Sequence, residues 1–320
     1  MVIVMNTVTE IADFIKENDN FVIIPHRRPD GDCLGSSSAL LLSLRQLGKN
    51  ARIALPSEVP GRLAFMWDES FEEGTFPADN VIAVDVADPH MMLDLYDEYF
   101  CNAKKTLCID HHGTNCGYAD LNCIKANAAA AGEIVYGVIT AMGTKLNREI
   151  AEKLFVSIAD DTGGFQYSNT TSETHGIISK LYTYGVESDD IMKKLFATHT
   201  MAEMELLKFV TKRLEYYFGG KVCTSYVDSE ALEKSGAEMS QADAWIGLTR
   251  SAEGVEVGVM FKVADENEIR VSLRSNRYVD VSAVAQKFGG GGHVRAAGVT
   301  FYEGLESAKK KLLDEFEKLV

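Results

Sequence analysis

Three apolar runs in this 320-residue chain stop abruptly on ionisable side chains. FVIIP (21–25) runs into HRRPDGD, VIAV (81–84) into DVAD, and TLCI (106–109) into DHH. A short apolar run bounded by turn residues reads as a buried strand. His26, Asp85, Asp110, His111 and His112 are therefore expected at strand ends, where open α/β sheets keep their chemistry. Asp30 and Asp32 sit two apart in a turn, with Gly31 letting the backbone bend between them. REIAEKLFVSIADD (148–161) has helical spacing and delivers Asp161 ahead of TGGFQ. Five aspartates brought together would repel, and several would take up protons unless a cation neutralised them. A metal is the economical answer. Carboxylate and imidazole donors without thiolate suit manganese and, less well, magnesium; zinc and iron are also compatible.

Other chemistries find less support. The six cysteines, at 33, 101, 108, 116, 123 and 223, form no Cys-x-x-Cys pair. They read as reduced structural thiols, not as a zinc cluster or a disulfide frame. No convincing Ser-His-Asp or Cys-His arrangement is present, so no covalent intermediate is called for. The net charge of -15 argues against coating long duplex nucleic acid by counterion release. No apolar stretch approaches the ~20 residues of a membrane span, and MVIVMNTVTEIADFIKEN lacks the basic start of a secretory signal. A cytoplasmic enzyme is expected, with monomer and homodimer both open.

The positioning elements follow from periodicity. A helix is expected from Val8 to Asn18, then the strand 21–25, then a helix over LGSSSALLLSLRQLG with leucines at 40, 41, 44 and 47, then the strand ARIAL. This βαβ order predicts a parallel sheet. Helices are also expected over the alanine-rich AAAAGEIVYGVITAMG (128–143), from Glu173 to Tyr184, and across 186–218. From Lys221 the pattern changes to strands, KVCTSYVD, VEVGVMFKV and EIRVSLRS, which predict a smaller mixed sheet. Near the end stands GGGGHVRAAG (289–298). Four glycines, Gly289 to Gly292, are expected to expose backbone N–H groups to a phosphate or base, with His293 beside them. The segment is neither a Walker loop nor a dinucleotide fingerprint. Arg274, Arg277 and Arg295 lend it positive charge, whereas Arg270 and Lys287 read as solvated surface charges.

Together, HRRPDGD (26–32), VDVAD (84–88), DHH (110–112), ADDTGGF (159–165) and GGGGHVRAAG resemble the DHH phosphoesterases with a DHH-associated C-terminal domain. Within that family the layout is most like the enzymes that degrade very short RNA and dephosphorylate 3'-phosphoadenosine 5'-phosphate (pAp). The resemblance implies an α/β fold with the active site in an interdomain cleft. It divides the chain into a metal-binding catalytic domain (1–187), a helical linker (188–217) and a substrate-binding domain (218–320). It implies two manganese ions: His26 and Asp30 on one, Asp32, His111 and Asp161 on the other, and Asp85 bridging. Asp110 would orient the neighbouring imidazole and His112 would face substrate phosphate. Arg274, Ser275, Gly290, Gly291, Gly292 and His293 would bind substrate. Asp88 and Asp160 are expected as a helix cap and a surface carboxylate. Gln166 stands in a neighbourhood where relatives often carry arginine, which leaves phosphate contacts there unassigned.

Two ions roughly 3.5 to 4 Å apart would activate a bridging water for in-line attack and clamp the leaving oxygen. The expected substrates are short single-stranded RNA or DNA and pAp, with cyclic dinucleotides or linear pApA as the nearest rivals. A RecJ-like exonuclease fits a short acidic chain less well. A nucleotide-binding protein without catalysis fits the intact ligand set poorly.

Overall fold

The computed structural model describes residues 5–265 and 267–320, and the side chain of His293 lies outside the described residues. Residues 1–4, part of the stretch read for a targeting signal, also lie outside them. The chain separates into two units, the first ending at Thr198 and the second running from His199 to Val320.

In the first unit, β1 (Phe21–Ile24), β2 (Ala51–Ile53), β3 (Asn80–Val84), β4 (Lys105–Asp110) and β5 (Leu121–Ile124) form a parallel sheet in the order β2-β1-β3-β4-β5. Its central strands read as continuous apolar runs because both faces are covered. Phe21, Ile23, Ile82 and Val84 join one core cluster. Val22, Ile24, Val81 and Ala83 join another on the opposite face. β1, β3 and β4 are neighbours, so the residues that follow them share one edge of the sheet.

The helices α1 (Val8–Glu17), α2 (Gly31–Gln46), α3 (Ala131–Met142) and α4 (Arg148–Asp161) contribute to the larger core, as do α5 (Ser172–Tyr182) and α6 (Ser188–Phe196). Of the four spaced leucines in α2, Leu40, Leu41 and Leu44 are buried and Leu47 is exposed. The GSSS segment of α2 lets α4 approach closely: a β-carbon on Gly35 would lie 2.5 Å from the Lys153 carbonyl oxygen and 2.8 Å from Ser157 N. The alanine-rich stretch corrects an expectation. Ala128, Ala129 and Ala130 precede α3, and no side chain caps that helix at Ala130. A carboxylate from α2 takes its first amides, as described below.

The segment expected as a linker is divided between the units. In α6, Ile191 and Leu195 enter the first core. In α7 (Met201–Lys212), Leu206 and Val210 are buried in a cluster of the second unit. Helical spacing gave both helices an apolar stripe without saying which core would cover it. The second unit holds β6 (Glu215–Tyr217), β7 (Val222–Val227), β8 (Val257–Asp265), β9 (Glu268–Ser275), β10 (Gly291–His293) and β11 (Ala296–Phe301) in the order β10-β11-β9-β8-β7-β6. Its sheet is mixed, since β7 and β8 run parallel while the other neighbours run antiparallel. The helices α8 (Ser229–Ser235), α9 (Val281–Lys287) and α10 (Leu305–Phe316) and a 3-10 segment, Met239–Arg250, complete the unit.

Candidate metal centre

The residues that end β1, β3 and β4 meet those of the α2 turn and the end of α4. His26 Nε2 lies 3.4 Å from Asp30 Oδ2 and 3.5 Å from Asp85 Oδ2. His111 Nε2 lies 3.5 Å from Asp85 Oδ1 and 3.6 Å from both Asp32 Oδ2 and Asp161 Oδ2. Asp85 thus turns one oxygen to each histidine. The donor atoms of His26, Asp30, Cys33 and Asp85 lie within 4.8 Å of one another, as do those of Asp32, His111 and Asp161. All six residues expected as ligands are gathered in these two groups. Cys33, expected as a plain structural thiol, is beside the first, and its sulfur accepts a hydrogen bond from Asp30 N.

Asp85 has a backbone φ of 60° and is 2% exposed. Aspartate is among the few residues that tolerate this left-handed conformation, and such departures cluster at functional sites. Its Oδ1 has no hydrogen-bond partner among the described residues, although His112 Nδ1, like His111 Nε2, stands 3.5 Å away. A buried carboxylate oxygen without a donor is costly unless a cation takes its charge. That oxygen, among carboxylate and imidazole donors with the Cys33 sulfur beside one group, fits a divalent ion.

The protonation pattern agrees. Burial alone would lower His111, but Asp85, Asp32 and Asp161 outweigh it and raise its pKa to about 11. Burial raises Asp161 to about 7, with Asp85 and Asp30 adding repulsion. Burial and Asp85 likewise raise Asp32. Asp85 itself is held well below the usual carboxylate range, because His111 and His26 overcome its burial. A cluster of this kind binds divalent ions in competition with protons.

Supporting contacts orient the donors. Asp32 accepts from Ala131 N at 2.7 Å, Gly132 N at 3.2 Å and Ser157 Oγ at 2.5 Å. It thereby caps α3 from another helix. His111 Nδ1 lies 3.3 Å from the Ala128 carbonyl, which directs Nε2 toward the carboxylates. Asp110, fully buried, holds His112 Nδ1 at 2.7 Å and accepts from Asn115 Nδ2 at 2.6 Å. Asn169 Nδ2 donates to the carbonyls of Ala129 and Asp161. Asn115, Ser157 and Asn169 were not singled out from sequence. Ser157 stands four residues before Asp161 on α4, a spacing that shares a helix face.

Two neighbouring aspartates differ from each other. Asp88 caps the short helix Pro89–Met92 by accepting from His90 N at 2.8 Å. Asp160, expected at the surface, is instead only 12% exposed and accepts from Gly31 N at 2.6 Å. Gln166 is exposed.

In the second unit the glycine run is more structural than the sequence suggested. Gly289 N and Gly290 N donate to the carbonyls of Gln286 and Ala285, closing α9, so these two amides are not exposed to a ligand. Gly291 and Gly292 belong to β10. Side chains at Gly290 and Gly292 would collide with β11, at 2.3 Å from the Gly298 carbonyl and 2.5 Å from that of Ala296. A β-carbon on Gly291 would meet nothing within 4 Å. Arg274 and Ser275 end β9; Ser275 is 1% exposed and its N–H donates to the Arg295 carbonyl at 3.1 Å. Glu256, missed from sequence, is 3% exposed and accepts the N–H groups of Arg277, Tyr278 and Val279 at 2.6 to 3.1 Å. It fixes the turn that follows Ser275. Arg270 and Lys287 are surface charges paired with Glu268 and Glu315.

Aspartate and histidine donors at the carboxyl edge of a parallel sheet form the donor set of a divalent-cation site. The chain belongs to the DHH family: residues 20–158 match the DHH family N-terminal domain and residues 219–320 the DHHA1 domain. It is 32% identical over 297 residues to the bifunctional oligoribonuclease and PAP phosphatase NrnA of Thermus thermophilus, covering 91% of this chain and 87% of that protein. The Bacillus subtilis protein of the same name is 28% identical over 97% of this chain and 98% of its own length. In three dimensions the chain resembles an exopolyphosphatase-related protein from Bacteroides fragilis, with a TM-score of 0.90, 24% identity, and coverage of 97% and 95% of the two chains.

Proposed function

We propose that this chain is a phosphoester hydrolase that cleaves short oligoribonucleotides to mononucleotides and removes phosphate from pAp, with two divalent ions, manganese by preference. The observation that carries the reading is Asp85, whose two buried oxygens face His26 and His111. The relatives named for oligoribonuclease and PAP phosphatase activity, aligned over nine-tenths or more of this chain, support the substrate class.

In this reading His26, Asp30 and Asp85 would hold one ion, and Asp32, His111, Asp161 and Asp85 would hold the other. Bound ions supply Lewis acidity and lower the pKa of water to the range where it attacks a phosphate. The chain's own groups do the rest. Asp110 holds the His112 ring by Nδ1, so that Nε2 is the atom turned to the substrate phosphate. The Ala128 carbonyl, 3.3 Å from His111 Nδ1, keeps the ring oriented with Nε2 toward Asp32. Arg274, Ser275, Gly291 and His293 would grip the nucleotide, with Glu256 holding the turn that follows Ser275.

The test is a substrate panel under manganese, with chelator controls: a labelled two-to-five-residue RNA, pAp, linear pApA and a long duplex. Metal-dependent release of mononucleotide from the RNA and of phosphate from pAp is expected, with the duplex untouched. Turnover confined to pApA would replace this reading with a dinucleotide phosphodiesterase. Binding without turnover in any divalent metal would replace it with a nucleotide sensor.

A further inference from the structure

Asp160 is outside all three groups of candidate ligands, the third being Asp85, His111 and His112, yet it is bound to the first turn of α2, which carries Asp32 and is capped by Asp30. Its Oδ2 accepts from Gly31 N at 2.6 Å, between Asp30 and Asp32. Arg62, from the short helix Gly61–Met66, grips the same carboxylate with both terminal nitrogens, at 3.1 Å to Oδ1 and 3.2 Å to Oδ2. A β-carbon on Gly31 would come within 2.5 to 2.7 Å of Asp160 side-chain atoms, so glycine is what lets the carboxylate reach this amide. The amide is one of the first four of α2, which the helix leaves without partners and where a negative group is favoured. Asp30 Oδ1 takes another, Cys33 N, at 3.0 Å.

We propose that Asp160, clamped by Arg62, is a positioning residue that fixes the spacing between Asp161 and the Asp30–Asp32 turn and thereby sets the affinity of the centre for divalent ions. The inference rests on the metal-site reading above. Asp160 and Asp161 are adjacent in the last turn of α4, so a displacement of Gly31 from Asp160 is also a displacement of Asp30 and Asp32 from Asp161. The two-pronged Arg62 contact gives the clamp direction as well as strength. It also neutralises a carboxylate next to a cluster that already holds four.

Manganese binding, read from the electron paramagnetic resonance signal of the unbound ion, tests this in the full chain with Asp160→Ala, Asp160→Asn, Arg62→Ala and Gly31→Ala. Loss of such a supporting partner typically weakens metal affinity about 10- to 100-fold, and this is expected for Asp160→Ala and, from the opposite side of the contact, Gly31→Ala. Asp160→Asn keeps an oxygen for Gly31 N and is expected to lose less, with Arg62→Ala in between. Asp160→Ala with wild-type manganese affinity and only a lower melting temperature would reduce Asp160 to a helix cap and overturn the proposal. Should Asp160→Ala fail to fold, Arg62→Ala decides: a several-fold loss upholds the clamp and wild-type affinity overturns it. A wild-type chain that binds no manganese would sink the metal-site reading itself, a separate outcome.

Discussion

At the scale of single residues, protons and divalent ions compete for the same carboxylates and imidazoles, and this has a pH consequence. The folded-state pKa values of Asp161 and His111 are raised, from 3.8 to about 7 and from 6.5 to about 11. A raised folded pKa contributes stability that is fully present below the unfolded value and is lost as pH rises through the folded one. The metal-free chain therefore loses these contributions between about pH 4 and 7 for Asp161 and between about pH 6.5 and 11 for His111. Divalent ions must displace the same protons. The rise in melting temperature produced by manganese is thus expected to grow from pH 6 to pH 8; thermal scans with and without the ion check it, and a larger rise at pH 6 contradicts it. The candidate ligands stood out in the sequence because most of them end an apolar run or crowd the short segment after one, and Asp161 ends a helix of clear apolar spacing. Asp160, Ser157 and Glu256 did not. Their partners lie 129, 125 and 21 or more residues away, and single-chain spacing carries no sign of such contacts.

At the scale of elements, the centre depends on how closely α2, α3 and α4 meet. Gly35 faces the Lys153 carbonyl and Ser157, and a β-carbon at Gly132 would fall 1.9 Å from Ser157 Oγ. Ser157 in turn holds Asp32. Gly35→Ala should push α2 from α4 against backbone that cannot yield, and overpacking of this kind costs about 1–3 kcal/mol. Chemical denaturation should show that loss together with weaker manganese binding; unchanged stability would mean that the helices separate without cost. Sequence periodicity placed α4 correctly, left Gly31 and Asp32 in a turn although they open α2, and missed the start of α3. Ala128 to Ala130 have high helix propensity. They lie outside the helix because the Ala128 carbonyl faces His111 and the Asp32 carboxylate caps the next two amides.

At the scale of the whole molecule, the parallel sheet of the first unit and the mixed sheet of the second were both readable from periodicity and strand order. The division at Thr198 falls inside the segment expected as a linker, but periodicity did not show that α6 and α7 are covered by different cores. The division of labour between the units makes a kinetic prediction. If the second unit only grips substrate, His293→Ala should chiefly raise KM for a short RNA and leave kcat within a few-fold; an unchanged KM contradicts that role. The first unit's chemistry turns on Asp85, among the described residues the carboxylate that faces both His26 and His111. The most direct measurement is turnover of short RNA by Asp85→Ala under saturating manganese, with circular dichroism to show that the fold persists. The two-ion account predicts that turnover is abolished in a folded protein, and retention of more than about a tenth of wild-type activity would contradict it.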